Sequence, residues 1–205
     1  MSGAIGIFGG TFDPIHVGHL FIAQEAAATM LLDRVLFVPT ADPVHRLVPP
    51  VASQADRGEM VRLAIADNQS FEFSSVELDR PGPTFTIDTL RVLAQLHPKQ
   101  TLYFIVGTDS LAELPQWREP AQILELARIV AMARPGRDKV DLEALEAILP
   151  GARRRVCVVQ SPGLDVSARD IRARIAEGKP VRYLVPEPVR EYIQKRGLYG
   201  GTHAD

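Results

Sequence analysis

Six short apolar runs, Ile5–Phe8, Val35–Val38, Phe71–Ser74, Leu102–Val106, Ile129–Ala133 and Val156–Val159, recur along this chain of 205 residues. Helical periodicity fills the gaps between them at Val17–Met30, Ala55–Asp67, Ile87–Leu96, Pro120–Leu126 and Leu142–Leu149. Strands alternating with helices predict an α/β fold, a parallel sheet with helices on both faces. With 46% hydrophobic residues the chain can fill one substantial core, and two full domains would be cramped. After Pro162 the pattern changes. Two helices, Ser167–Glu177 and Pro186–Arg196, follow with no strand between them, separated by the breaker Gly178-Lys179-Pro180. This divides the chain into a main body, residues 1–166, and a small C-terminal helical appendage of the same domain, residues 167–205, with a frayed end from Gly200.

Ligands of parallel sheets bind beyond the carboxyl ends of the strands. Polar segments follow several of the predicted strands, GGTFDPIH after the first, PTADPVHR after the second, GTDS after the fourth and ARPG after the fifth, so they should converge on one crevice. The first is the most informative. In GIFGGTFDPIHVGHL, residues 6–20, Gly9 and Gly10 leave the backbone open for phosphate oxygens to approach main-chain N–H groups. A helix should start near Pro14 with Asp13 or Thr11 as its cap, and its N-terminus favours an anion in front of it. His16 and His19, spaced i,i+3, share one face of that first turn. The pair could orient a triphosphate, ligate a metal, or cap and pack. A glycine-rich turn ahead of a helix start favours phosphate, whereas only Asp13 lies close enough in sequence to add a metal ligand. The turn lacks both the G-x-G-x-x-G spacing of dinucleotide folds and the Gly-Lys-Ser/Thr of a Walker loop.

A net charge of -2 offers no global attraction to a nucleic-acid backbone, so phosphate binding must be local. The single cysteine, Cys157, excludes an intrachain disulfide and a multi-cysteine metal site; its apolar surroundings predict a buried thiol in a reducing compartment. No apolar stretch is long enough to span a membrane, and the start MSGAIGIFGG lacks the features of a signal peptide. A soluble, cytoplasmic protein is expected.

Further residues carry two readings each. His45 and Arg46 sit in the loop after the second strand, either at the site or on the surface. Thr84 and Thr86 lie in turn chemistry leading into a helix and could serve only as caps. Trp117, bounded by prolines, is either a core anchor or a flat face for an aromatic ligand ring. Asp109 could receive ribose hydroxyls or cap the next helix. Arginines in Ser167-Ala-Arg-Asp-Ile-Arg172 stand near a helix start, where positive charge is disfavoured unless an anion is present.

Taken together, these segments resemble the bacterial nicotinate-mononucleotide adenylyltransferases, members of the HxGH nucleotidyltransferases. The likeness spans nearly the whole chain. His16-x-Gly18-His19 matches the HxGH element, which other nucleotidyltransferases and class I aminoacyl-tRNA synthetases share. GPTFTIDTL (82–90), GTDS (107–110), LPQW (114–117), ARPG (133–136) and YLVPEPVREYIQKRGLY (183–199) match this family in its order. Two departures stand out: Pro43-Val-His-Arg46 replaces the usual PPHK, and Val166-Ser-Ala-Arg-Asp-Ile-Arg172 replaces ISSTxIR, keeping Ser167 and Arg172.

The resemblance implies a Rossmann-like sheet and transfer of the adenylyl group of ATP to nicotinate mononucleotide, yielding nicotinate adenine dinucleotide and pyrophosphate in NAD biosynthesis. It implies His16, His19 and Arg172 as catalytic residues, with Gly9, Gly10, Thr11, Phe12, Gly107 and Ser167 joining them around ATP. It implies Thr86 and its neighbouring backbone at the nicotinate carboxylate, Trp117 on the pyridine ring, Asp109 at ribose, and His45, Arg46 and Arg134 at phosphates. Mg²⁺ would be held mainly by the phosphates, with no protein metal site. Partners would be ATP and the mononucleotide, with no nucleic acid or membrane; a homo-oligomer stays open. The alternatives are an adenylyl- or cytidylyltransferase for another phosphorylated substrate such as phosphopantetheine, and a non-catalytic nucleotide sensor. A tRNA synthetase is disfavoured because no KMSKS-like second signature occurs.

Overall fold

All six apolar runs pair into one parallel sheet of order β3-β2-β1-β4-β5-β6. The computed structural model describes residues 3–42, 49–133 and 140–200. The strands are β1 (Ala4–Gly10), β2 (Arg34–Pro39), β3 (Phe71–Phe73), β4 (Thr101–Gly107), β5 (Ala127–Ala133) and β6 (Val156–Gln160). The helices are α1 (Val17–Met30), α2 (Gln54–Ile65), α3 (Thr86–Leu96), α4 (Thr108–Glu113), α5 (Pro120–Leu126), α6 (Leu142–Ile148), α7 (Ala152–Arg155), α8 (Ala168–Ala176) and α9 (Glu187–Arg196). The expected elements are therefore all present, shifted at most by a few residues at their ends, while α4 and α7 are too short to announce themselves by periodicity.

Alternation along each strand divides the interior in two. Phe8, Val35, Phe37, Ile105, Val130 and Met132 face one layer, formed by α1, α2, α8 and α9 through residues such as Ala23, Met60, Ile171 and Val189. Ile5, Ile7, Leu36, Leu102, Phe104 and Ile129 face the other, formed by α3 to α6 through Ile87, Leu111, Ile123 and Leu145. The C-terminal helices thus share a core with α1 and α2. Asp56 of α2 reinforces the contact by accepting from Tyr192 at 2.9 Å and Arg196 at 3.1 Å, both on α9. The Ser53 hydroxyl first, and then those two donors, hold its carboxyl below the usual carboxylate range.

Strand order reverses between β1 and β4, the point at which a doubly wound sheet opens a crevice. Phe8 pairs with Ile105 there, so the two strands part at Gly10 and Gly107.

Three expectations are corrected. Helix α1 starts at Val17, with His16 as its N-cap, and neither Asp13 nor Thr11 caps it. The residues before it are held by distant groups described below, which delays the helix. Cys157 is exposed, because β6 is an edge strand flanked on one side only. Of the end expected to fray, Gly200 closes a tight turn, Leu198–Gly200, around the buried Tyr199, and residues 201–205 lie outside the described residues.

Candidate active site

The β1–α1 turn is built from residues that hold one another in place. Phe12 adopts a left-handed backbone (φ 50°), a conformation costing a non-glycine residue on the order of 1 kcal/mol. Its ring offsets this by burying itself at 2% exposure against Phe8 and Phe37, with centroids 5.7 and 5.9 Å away. Gly10 is required for that fold-back, since a Cβ there would lie 2.9 Å from the Phe12 ring. Only the backbone of Phe12 can therefore face a ligand. The Thr11 carbonyl accepts at 2.7 Å from Arg57, an arginine of α2 that is 1% exposed and also reaches the Ala41 carbonyl at 3.2 Å.

Asp13 is the knot of the turn. At 2% exposure, its carboxylate accepts from the backbone N–H of Val51 (2.8 Å) and Ala52 (3.1 Å) and from the Tyr199 hydroxyl (2.9 Å). Arg172 of α8 donates from Nη1 to the Asp13 carbonyl at 2.6 Å and lies 3.7 Å from its carboxylate. A buried carboxylate is tolerated only with such donors around it.

Three residues on, the two histidines form a stacked pair, with ring centroids 3.6 Å apart and planes at 27°. The His16 backbone N–H donates to His19 Nδ1 at 3.2 Å. A ring nitrogen that accepts carries no proton, so neutral His19 keeps its proton on Nε2 as a donor. Phe12 supports the His19 ring edge-on at 5.1 Å. Gly18 belongs to the same arrangement, because a Cβ there would meet the His16 ring at 3.1 Å. The Val166 carbonyl would be 3.7 Å from that Cβ, which places the segment before α8 beside the histidine turn. Ser167 caps α8 by accepting from the Asp170 N–H at 3.1 Å, so its hydroxyl already serves the helix.

Across the crevice, β4 ends at Gly107, where an added Cβ would meet nothing within 4 Å and φ is ordinary. The fold itself makes no demand for glycine there. Asp109 follows in the first turn of α4 and is exposed. Trp117 ends a 3-10 turn and sets its ring edge-on to Phe104 of β4 at 6.1 Å. Thr86 is the first residue of α3, capped by Phe85, and Thr84 donates to the Asp42 carbonyl at 2.9 Å. Neither threonine side chain caps α3. The Trp117 and Thr86 segments meet through their neighbours, Arg118 lying over the Phe85 ring at 4.7 Å.

The structure therefore gathers His16, His19, the 9–12 backbone, Ser167 and Arg172 around the end of β1, and Gly107, Asp109, Thr86 and Trp117 beyond β4. His45, Arg46 and Arg134 lie outside the described residues. Arg57, Tyr199 and Glu77 were not singled out from the sequence, and Asp13 only as a helix cap or a possible metal ligand. Arg57 alone left a trace, standing three and four residues before Met60 and Val61 on the apolar stripe of α2. Glu77 is buried, accepts from Thr89 Oγ1 at 2.7 Å, and has its carboxyl pushed up by desolvation against the opposing pull of Thr89 and Arg80. Among the described residues, no group of three or more His, Cys, Asp or Glu is placed to hold a metal ion.

The cytidylyltransferase-like family model matches residues 7–174, from the first strand through Arg172. The chain belongs to this family. A relative from Roseiflexus sp. (strain RS-1), named a probable nicotinate-nucleotide adenylyltransferase, is 48% identical over 97% of this chain and 98% of its own. One from Thermomicrobium roseum with the same name is 46% identical over 98% of this chain and 93% of its own. The fold is similar to that of Plasmodium falciparum nicotinic acid mononucleotide adenylyltransferase complexed with NaAD, with a TM-score of 0.78 over 98% of both chains at 20% identity. The similar fold agrees with the parallel sheet described above.

Proposed function

We propose that this protein is a nicotinate-nucleotide adenylyltransferase. A phosphate oxygen of nicotinate mononucleotide attacks the α-phosphorus of ATP, the bond from that phosphorus to the β-phosphate's bridging oxygen breaks, and pyrophosphate leaves with its electron pair. The nucleophile is already an anion, so the protein's work is alignment and charge stabilisation. The observation that carries this reading is the His16–His19 stack at the start of α1, at the sheet's reversal point, beside the segment bearing Arg172. Relatives of near-equal length bearing this enzyme's name support it.

In this reading His19 donates from Nε2 to an oxygen of the transferring phosphate, His16 stacks behind it, and the N–H groups of the first turn of α1 add positive potential. The Gly9 to Phe12 backbone, Gly107 and Ser167 surround ATP. Arg172 keeps Nη1 on Asp13 and turns its partly exposed remainder towards phosphate. Thr86, Asp109 and Trp117 receive the mononucleotide, with His45, Arg46 and Arg134 at its phosphate side. Mg²⁺ carried by the ATP phosphates would supply charge neutralisation there. Residues 167–205 act as a subdomain of the domain begun by residues 1–166, its α8 closing the phosphate side. No helix among the described residues is long and apolar enough to cross a membrane, and we place the enzyme in the cytoplasm.

The test is pyrophosphate release from ATP with nicotinate mononucleotide, nicotinamide mononucleotide and phosphopantetheine in parallel. Release with the nicotinate compound foremost is expected. Equal rates with the two mononucleotides would remove the acid assignment, release with phosphopantetheine alone would replace it, and no release with any would leave a nucleotide sensor.

A further inference from the structure

Nicotinate and nicotinamide mononucleotides are nearly the same shape, one ending in a carboxylate and the other in a carboxamide. Telling them apart requires a difference in charge or in hydrogen-bond donors at that end. The sequence places no cation next to Thr86. The fold does. The guanidinium carbon of Arg118 lies 4.7 Å from the centroid of Phe85, the residue that caps α3 immediately before Thr86. Arg118 also follows Trp117 directly, so the residue that packs on Phe104 of β4 and the cation over Phe85 are consecutive in the chain.

What matters is whether that charge is already spent. Two carboxylates stand nearby, Asp88 and Glu119, and a second arginine, Arg91, competes for both. Arg91 donates to Glu119 at 2.6 Å, to Asp88 at 3.3 Å and to Gln122 at 2.6 Å. These partners, Glu119 first, raise the Arg91 guanidinium above its ordinary range. Arg118 is left at 3.9 Å from Asp88 and 3.7 Å from Glu119, ion-pair separations too long for hydrogen bonds. Its side chain is 53% exposed. Lying over the Phe85 ring and half exposed, the guanidinium keeps N–H groups able to donate in pairs, an arrangement suited to a planar carboxylate. Lysine could supply the charge at this position but not the fork.

We infer that Arg118 is a specificity-determining residue that favours the acid mononucleotide over the amide. This rests on the adenylyltransferase reading above, with the pyridine end of the substrate at Thr86 and Trp117. Arg118 donates to the substrate carboxylate from the face of Phe85, while Arg91 takes the shorter contacts with the two acidic neighbours that both arginines share.

The experiment compares kcat/KM for the two mononucleotides at saturating ATP in the unmodified enzyme, Arg118→Gln and Arg118→Lys, with KM for ATP and the thermal midpoint measured alongside. Arg118→Gln is expected to lower the acid-to-amide ratio by about tenfold, through KM for the acid, with KM for ATP unchanged. Arg118→Lys is expected to recover part of the ratio. An unchanged ratio in Arg118→Gln overturns the inference, and so does an equal loss for both mononucleotides, which would mark Arg118 as a strut for the Trp117 loop. If the unmodified enzyme uses neither mononucleotide, the parent reading fails and takes this one with it.

Discussion

Tyr199 donates its phenol to Asp13 across 2.9 Å, joining residues 186 positions apart in the chain. Burial, and after it the Asp13 charge, pushes the Tyr199 hydroxyl above its ordinary range, so it remains a donor at every physiological pH. Through this bond and the one from Arg172, α8 and the turn at Leu198–Gly200 together hold the turn that carries the histidines. Tyr199→Phe keeps the ring and deletes the donor. A hydrogen bond to a charged buried group is worth about 1.5–3 kcal/mol, and unfolding in urea should show a loss of that order. Turnover should fall with it, while an unaltered stability would mean that Asp13 finds another donor.

His19→Ala removes the donor set by the His16 N–H without touching the sheet. Turnover in the pyrophosphate assay should drop on the order of 10²-fold or more, with the circular dichroism spectrum preserved. Near-normal turnover would exclude the histidine pair from the reaction.

Two glycines should respond differently to the same added methyl. Gly18→Ala places a Cβ 3.1 Å from the His16 ring, so the ring must shift and kcat should fall, although alanine suits a helix better than glycine. Gly107→Ala meets nothing in the protein, so stability should stay within roughly 0.5 kcal/mol. Its effect should appear as a raised KM for ATP. Equal KM values in Gly107→Ala and the unmodified enzyme would take Gly107 out of the ATP site.

Glu77 gives a pH signature. Its carboxyl is raised in the folded protein mainly by burial, so between its ordinary and its raised value the folded state holds a proton that the unfolded chain has lost. This contribution to stability is fully present below the ordinary carboxylate range and declines as pH rises through the folded value. Glu77→Gln carries no such proton and can still accept from Thr89. The stability of the unmodified protein relative to Glu77→Gln should therefore decrease from pH 4 towards neutrality, read from urea midpoints. A difference independent of pH would show that Thr89 and Arg80 cancel the effect of burial.

The strands were legible because a sheet covered on both faces needs continuous apolar runs, and the runs around Ile7, Phe37 and Ile105 have that character. The histidine pair was legible because i,i+3 spacing at a helix start is a local property. Asp13 looked like a cap for the same local reason, and that reading failed. Its partners come from Val51, Arg172 and Tyr199, which are 38, 159 and 186 residues away. Cys157 was misplaced because an apolar run does not reveal whether its strand is central or at an edge.

By itself, the sequence determined the alternation of strands and helices, the glycine turn and the histidine spacing, all set within a few residues by backbone geometry and apolar periodicity. The tertiary structure decided strand order, and with it which distant side chains converge. It turned Asp13 into an anchor, buried Arg57 beneath the turn, and brought Arg118 onto Phe85 beside Thr86. Those contacts depend on how the two helical layers close over the sheet, and no local pattern encodes that closure.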